Sequence, residues 1–154
     1  MRDDERGKLD EFEAERDARW SAMGMPDVGS RYWDRNTEPM SFADWAEAFE
    51  DLEYRTVARD QIGDLEVSTI WLGLDHSFLP ESRPLIFETM IFDCSTEAVA
   101  EMRERMKDWP SMAETNRGAG RYQERYSTEE EAIRGHGQAI VAAKAGLIDL
   151  EANI

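Results

Sequence analysis

A chain of 154 residues with 41% hydrophobic side chains is long enough to bury one sizeable core, and its length predicts a single domain. Its 34 acidic against 18 basic side chains give a formal net charge of -16, a field that repels phosphate backbones and anionic membranes and favours a basic or neutral protein partner. The single cysteine, Cys94, excludes an intramolecular disulfide and a multi-thiolate zinc site.

No apolar run approaches the roughly 20 residues that span a bilayer, and the charged opening residues do not form a secretory signal. The expectation is a soluble, cytoplasmic protein without direct nucleic-acid binding or membrane contact. Residues 1–23 read as a charged helical arm with a thin apolar stripe of Leu9, Phe12, Trp20 and Met23. Phe12 and Trp20 are its anchors, either onto the domain or onto a partner. Gly24, Pro26 and Gly29 make residues 24–30 a linker into a domain spanning 31–146.

Within that domain, Arg31-Tyr32-Trp33 is a short strand candidate ending in a run of turn formers. Ser41 caps a helix over residues 42–51, where Phe42, Trp45, Ala46 and Phe49 recur at helical spacing. The outer face of this helix carries Asp44, Glu47, Glu50 and Asp51 and no basic residue. Three strands follow at residues 54–59, 65–72 and 85–92, the first two joined by Gly63-Asp64. The third is apolar on both faces except at Glu88, which predicts a central strand whose one charge needs a partner: Arg55, Arg59 or Arg125.

Ser95 caps a helix over 96–109, stopped by Pro110, with Met102, Met106 and Trp109 on one side. Its methionines read as adaptable core rather than a cofactor box. Residues 121–126 are a fourth strand candidate. Thr128 or Ser127 then caps a helix whose apolar face runs Ala132, Ile133, His136, Ala139, Ile140 and Ala143 and which Gly146 ends. Residues 147–154 form a tail. The fold class is α+β: a small antiparallel sheet of three to five strands packed against two main helices, with the amino-terminal helix and an inserted segment, 95–120, at the periphery.

The sequences Val67-Ser68-Thr69-Ile70-Trp71-Leu72-Gly73-Leu74-Asp75-His76, Pro84-Leu85-Ile86-Phe87-Glu88-Thr89-Met90 and Glu124-Arg125-Tyr126-Ser127-Thr128 occur in that order after a Tyr32-Trp33-Asp34 strand end and the Trp45 helix. In this the chain resembles a family of small uncharacterised acidic proteins of actinobacterial bacteriophages and prophages. The resemblance covers residues 31–92 and 121–141. It implies a phage-encoded accessory domain and transfers no catalytic residue.

The chain has no nucleophile elbow, Walker loop or dinucleotide fingerprint. For acid-base chemistry the candidates are Asp75, His76 and Glu88, two at the mouth of a loop and one on the next strand. A metal would need His76 and His136 to converge with a carboxylate such as Glu88, and neither histidine has the close spacing of a helical metal motif. No cofactor is expected. Trp33, Trp71, Phe78 and Tyr126, with Arg83 or Arg125, are candidates for an aromatic pocket that takes a nucleotide-like ligand, though aromatics in such positions are more often core. Partner-binding candidates are Asp44, Glu47, Glu50 and Asp51 with Phe12 and Trp20. The leading functional expectation is a non-enzymatic accessory protein that binds a host or phage protein, with a homodimer as one form of association. The alternatives are an acidic nucleic-acid mimic that inhibits a host protein, and a small-ligand binder or metal-dependent enzyme.

Overall fold

The structure is a computed structural model that describes residues 1–24, 31–76, 83–111 and 113–146. Phe78, the expected linker after Gly24 and the tail from residue 147 lie outside the described residues. In chain order the elements are α1 (Asp3–Ala22), α2 (Phe42–Glu50), α3 (Leu52–Arg55), β1 (Thr56–Ile62), β2 (Leu65–Trp71), β3 (Phe87–Asp93), α4 (Thr96–Arg105), β4 (Gly120–Tyr126) and α5 (Glu129–Ala145). The fold is α+β, with one antiparallel sheet in the order β1-β2-β3-β4.

The β1–β2 hairpin closes at Ile62 and Leu65, and Gly63 takes the positive φ that a two-residue hairpin turn requires. β2 and β3 pair without interruption from Leu65 opposite Asp93 to Trp71 opposite Phe87. Alternation sends Val67, Thr69, Trp71, Phe87, Thr89 and Ile91 to one face, where all six are completely buried. α5 lies across that face, touching all four strands. Its buried positions, Ala132, Gly135, His136, Ala139 and Ala143, follow the helical stripe expected for a helix lying on a sheet. Thr128 caps it through the Glu131 amide, three glutamates occupy its first turn, and Gly146 ends it in the left-handed conformation.

The core is layered. Val67 and Ile91 with Ala139 and Ala143 form one apolar cluster, and Trp71, Ile86, Phe87 and Ala132 form another. In the sheet register, the polar pair Thr69–Thr89 separates them. α2 supplies Trp45, Ala48 and Phe49 to the second cluster. There the Trp45 indole N–H donates to the Leu72 carbonyl at 2.8 Å and the Trp71 indole N–H donates to the Trp33 carbonyl at 2.9 Å. α1 and α4 contribute no buried residue and sit at the periphery.

Several expectations are corrected. The first strand begins at Thr56 rather than residue 54, because Asp51 caps the Tyr54 amide and winds residues 52–55 into the extra turn α3. Tyr32 and Trp33 make isolated bridges to Leu74 and Pro39 and form no strand of the sheet. α4 stops at Arg105, four residues short of Trp109, which is 65% exposed. The chain leaves that helix to bring Gly118 and Ala119 back to the Asp93 backbone. On the second face of β2, Glu66 and Ser68 are also buried, at 3% and 5% exposed.

Candidate functional site

Three groupings of polar side chains meet the chemistry expected from the sequence, and their burial decides what each can do. The first is a chain of hydrogen bonds under α5. His136 Nε2 lies 2.8 Å from Asp60 Oδ2, His136 Nδ1 lies 2.7 Å from Thr69 Oγ1, and Thr69 Oγ1 lies 2.6 Å from Thr89 Oγ1. The Tyr126 hydroxyl lies near Thr89 and Tyr122 at the end of this chain. Burial pushes the Tyr122 hydroxyl up to about 12, with Tyr126 and Glu124 adding to the shift, so it stays protonated. A proton on Nε2 shared with the Asp60 carboxylate leaves Nδ1 to accept from Thr69.

Carboxylate, imidazole and hydroxyl in that order are the parts of a nucleophilic triad, and periodicity alone had placed His136 on the apolar face without naming Asp60 as its partner. The arrangement is inverted for catalysis. In a working triad the hydroxyl faces substrate and the carboxylate is buried. Here Thr69 and Thr89 are fully buried, while the Asp60 side chain is 52% exposed. The chain of bonds therefore satisfies the polar layer of the core and fixes α5 on the sheet at one register.

The second grouping lies on the opposite face of β3. Glu88 Oε2 accepts from Arg125 Nε at 3.0 Å and from Gln123 Nε2 at 2.7 Å. Arg125 is thus the strand arginine that satisfies the buried charge. His76 senses the same pair: burial and then the Arg125 guanidinium hold its pKa below the usual histidine value, against the smaller opposing pull of Glu88 and Asp75. Asp75 Oδ1 accepts from the Leu85 amide at 3.0 Å and so closes the loop. Asp75, His76 and Glu88 therefore share one neighbourhood, but Glu88 is committed to β4 and Asp75 to the backbone. His136, across the sheet from Glu88, does not join them, and no cluster of three metal-ligating side chains exists among the described residues.

A second buried carboxylate on this face, Glu66, went unremarked in the sequence because it sat in an alternating strand as an ordinary outward residue. Its Oε2 accepts from Arg59 at 2.6 Å, and its Oε1 lies against the Arg117 guanidinium as an ion pair. Arg117 also covers the Phe92 ring at 4.5 Å. Cys94 beside it has its pKa raised by burial and by Glu66, so it remains a thiol with little nucleophilic character.

Of the aromatic candidates, Trp33, Trp71 and Tyr126 belong to the core. Trp71 is fully buried, Tyr54 meets its ring edge-on at 5.1 Å, and Trp33 and Tyr126 pack in the same cluster. Arg83 is turned to Glu131 at 2.8 Å.

The third grouping is the surface shared by α1 and α2. Arg6 of α1 donates to Asp44 and, at 2.5 Å, to Glu47. Glu13 accepts from the Phe42 amide at 3.1 Å, Phe12 meets Phe42 at 6.1 Å, and Arg31 lies 5.4 Å from the Trp20 ring. Beneath them runs an aromatic row, Phe42, Tyr32, Trp45 and Phe49, with ring centroids between 4.9 and 5.9 Å apart. Asp44, Glu47, Glu50 and Asp51 are all exposed, and Phe12 is 50% exposed. The Arg6 hydrogen bond holds Asp44 below the usual carboxylate range. The acidic face of α2 is thus partly neutralised by the chain's own arm, which the sequence reading of an all-acidic patch did not anticipate. No helix of the described residues is long and apolar enough to cross a membrane. Comparison with protein families, with curated proteins and with solved structures finds no match to this chain.

Proposed function

We propose that the chain is a phage- or prophage-encoded accessory protein that acts by binding a protein partner, with the acidic and aromatic surface of α2 as the contact and α1 as its displaceable cover. The observation that carries this reading is the footing of α1: a helix of 20 residues that buries none of them and rests on α2 chiefly through Arg6, Glu13 and Phe12. A 20-residue helix held by so little apolar area contributes little to folding. A basic side chain from a partner can take the place of Arg6 between Asp44 and Glu47, and an apolar one can take the place of Phe12 on Phe42. The net charge of -16 favours such a basic partner through the long-range field. The inverted Asp60–His136–Thr69 array and the committed Glu88 support a binding role over a catalytic one.

The test is affinity capture from an actinobacterial host lysate with the wild type, with Arg6→Ala and with the pair Asp44→Asn and Glu47→Gln. The expected result is one partner retained by the wild type and by Arg6→Ala and lost by the carboxamide pair. Its affinity should fall at least about tenfold between roughly 0.05 and 0.3 M salt. A complex indifferent to salt and to the carboxamide pair, or turnover of a nucleotide or peptide without a partner, would defeat the reading. If the captured partner is a nucleic-acid-binding protein whose DNA or RNA displaces this chain, the contact is mimicry of a phosphate backbone.

A further inference from the structure

A cavity of about 180 Å³ lies between α4 and the start of β4, lined by Asp93, Ala98, Glu101, Met102, Arg105 and the segment from Ala119 to Arg121. Ala98, Met102 and Ala119 give it an apolar part. Two arginines, Arg105 and Arg121, are among its lining residues, and they differ in state. Arg121 is paired with Asp93 at 3.2 Å, while Arg105 is exposed and has no carboxylate partner among the described residues. The volume is below the roughly 300–1,000 Å³ of sites for drug-sized ligands and suits a single residue.

The cavity sits at the first residue of β4, and β4 is an edge strand. Among the described residues nothing pairs with its outer side, so its outward backbone N–H and C=O groups are open to another strand. A strand added antiparallel to β4 would end, at its carboxyl terminus, beside Gly120 and Arg121. A second copy of this chain is a poor occupant. The register that overlaps the whole of β4 with itself centres on Gln123 and sets Arg121 against Arg125 twice, a like-charge pairing that opposes association.

We propose that the edge of β4 and the adjoining α4 cavity form a docking site for the carboxyl terminus of an extended peptide, with the terminal carboxylate held by Arg105 and Arg121 and an apolar last side chain against Ala98 and Met102. The main chain supplies the ladder of hydrogen bonds, and Arg105, which has no carboxylate of its own among the described residues, selects a free carboxylate over an internal strand, with Arg121 shared between it and Asp93. Glu101, beside the same cavity, disfavours a second negative charge on the last residue. The site is separate from the α2 surface, and its test does not depend on that reading.

The experiment is an NMR titration of the full chain with a short N-acetylated peptide of alternating valine and threonine ending in leucine, as the free acid and as the terminal amide. The free acid is expected to shift the amides of β4 and α4. The terminal amide should bind at least about tenfold more weakly, a loss of about 1.4 kcal/mol. Arg105→Gln, a surface change that should leave the circular dichroism spectrum intact, brings the acid down to the affinity of the amide. Equal binding of acid and amide overturns the proposal, as does the absence of shifts with either. Free leucine binding as tightly as the peptide overturns strand addition, and concentration-dependent broadening of β4 without peptide assigns the edge to self-association.

Discussion

At the scale of single residues, two buried polar networks carry different risks. Thr69 bonds to both Thr89 and His136 inside a wholly buried layer. Thr69→Val keeps the shape and removes both bonds, which is expected to cost about 1–3 kcal/mol in urea unfolding. Because the leftover Thr89 hydroxyl is part of that cost, Thr69→Val combined with Thr89→Val should be less destabilising than the sum of the two single changes. On the other face, Arg125→Ala leaves Glu88 with Gln123 alone and is expected to cost about 1–3 kcal/mol. The same substitution takes away a cation that depresses His76, so the His76 titration midpoint, read from its ring proton shifts, should move upward towards the ordinary value of 6.5. A midpoint unchanged by Arg125→Ala would mean that burial alone sets it.

At the scale of elements, α5 contains two glycines with opposite consequences. The Tyr126 ring packs so closely on Gly135 that a Cβ there would overlap it, whereas Gly137 faces open space. Gly135→Ala is therefore expected to lower stability by about 1–3 kcal/mol through overpacking, and Gly137→Ala to raise it by up to about 1 kcal/mol through helix propensity. Thermal melts of the two variants should move in opposite directions. α1 is expected to exchange its amide protons fastest of the long helices, since it buries no residue, while β2, β3 and the buried side of α5 exchange slowest. Equal protection of α1 and α5 would show that the arm is an integral part of the core.

At the scale of the whole molecule, the acid response should come in two steps. His76 has a lowered pKa in the folded state, so the unfolded chain takes up its proton first; stability is lost as pH falls from about 6.5 towards the folded value. Asp93, lowered by the Ser95 amide and then by Arg121, contributes stability that is present above its ordinary value of 3.8 and lost as pH falls through the folded value. Glu131, whose burial opposes the shift but whose bonds to Arg83 and the Ser127 amide outweigh it, acts in the same direction. Urea unfolding from pH 7.5 down to 3 should show both limbs, and His76→Gln should flatten the first and leave the second. A single limb below pH 4 in the wild type would remove His76 from the account.

Much of this architecture was legible without coordinates. Short apolar, strand-forming runs located β2 and β3, Gly63-Asp64 located the neighbouring hairpin, and the caps Ser41, Ser95 and Thr128 with the stop at Gly146 located three helices, because these signals act over a few neighbouring residues. The need of Glu88 for a strand arginine followed from the cost of burying a lone charge. Other features were beyond local reading. Asp60 is 76 residues from His136, Glu66 owes its burial to Arg59 and Arg117, and the acidic face of α2 is answered by Arg6 from an arm 38 residues away. The sequence by itself determined the α+β class, the central strands and the charge, since propensity, periodicity and composition are local or additive. Only the tertiary structure decided which charges are paired, which hydroxyls are buried and which edge is open, because burial and pairing depend on what the chain brings together across long separations.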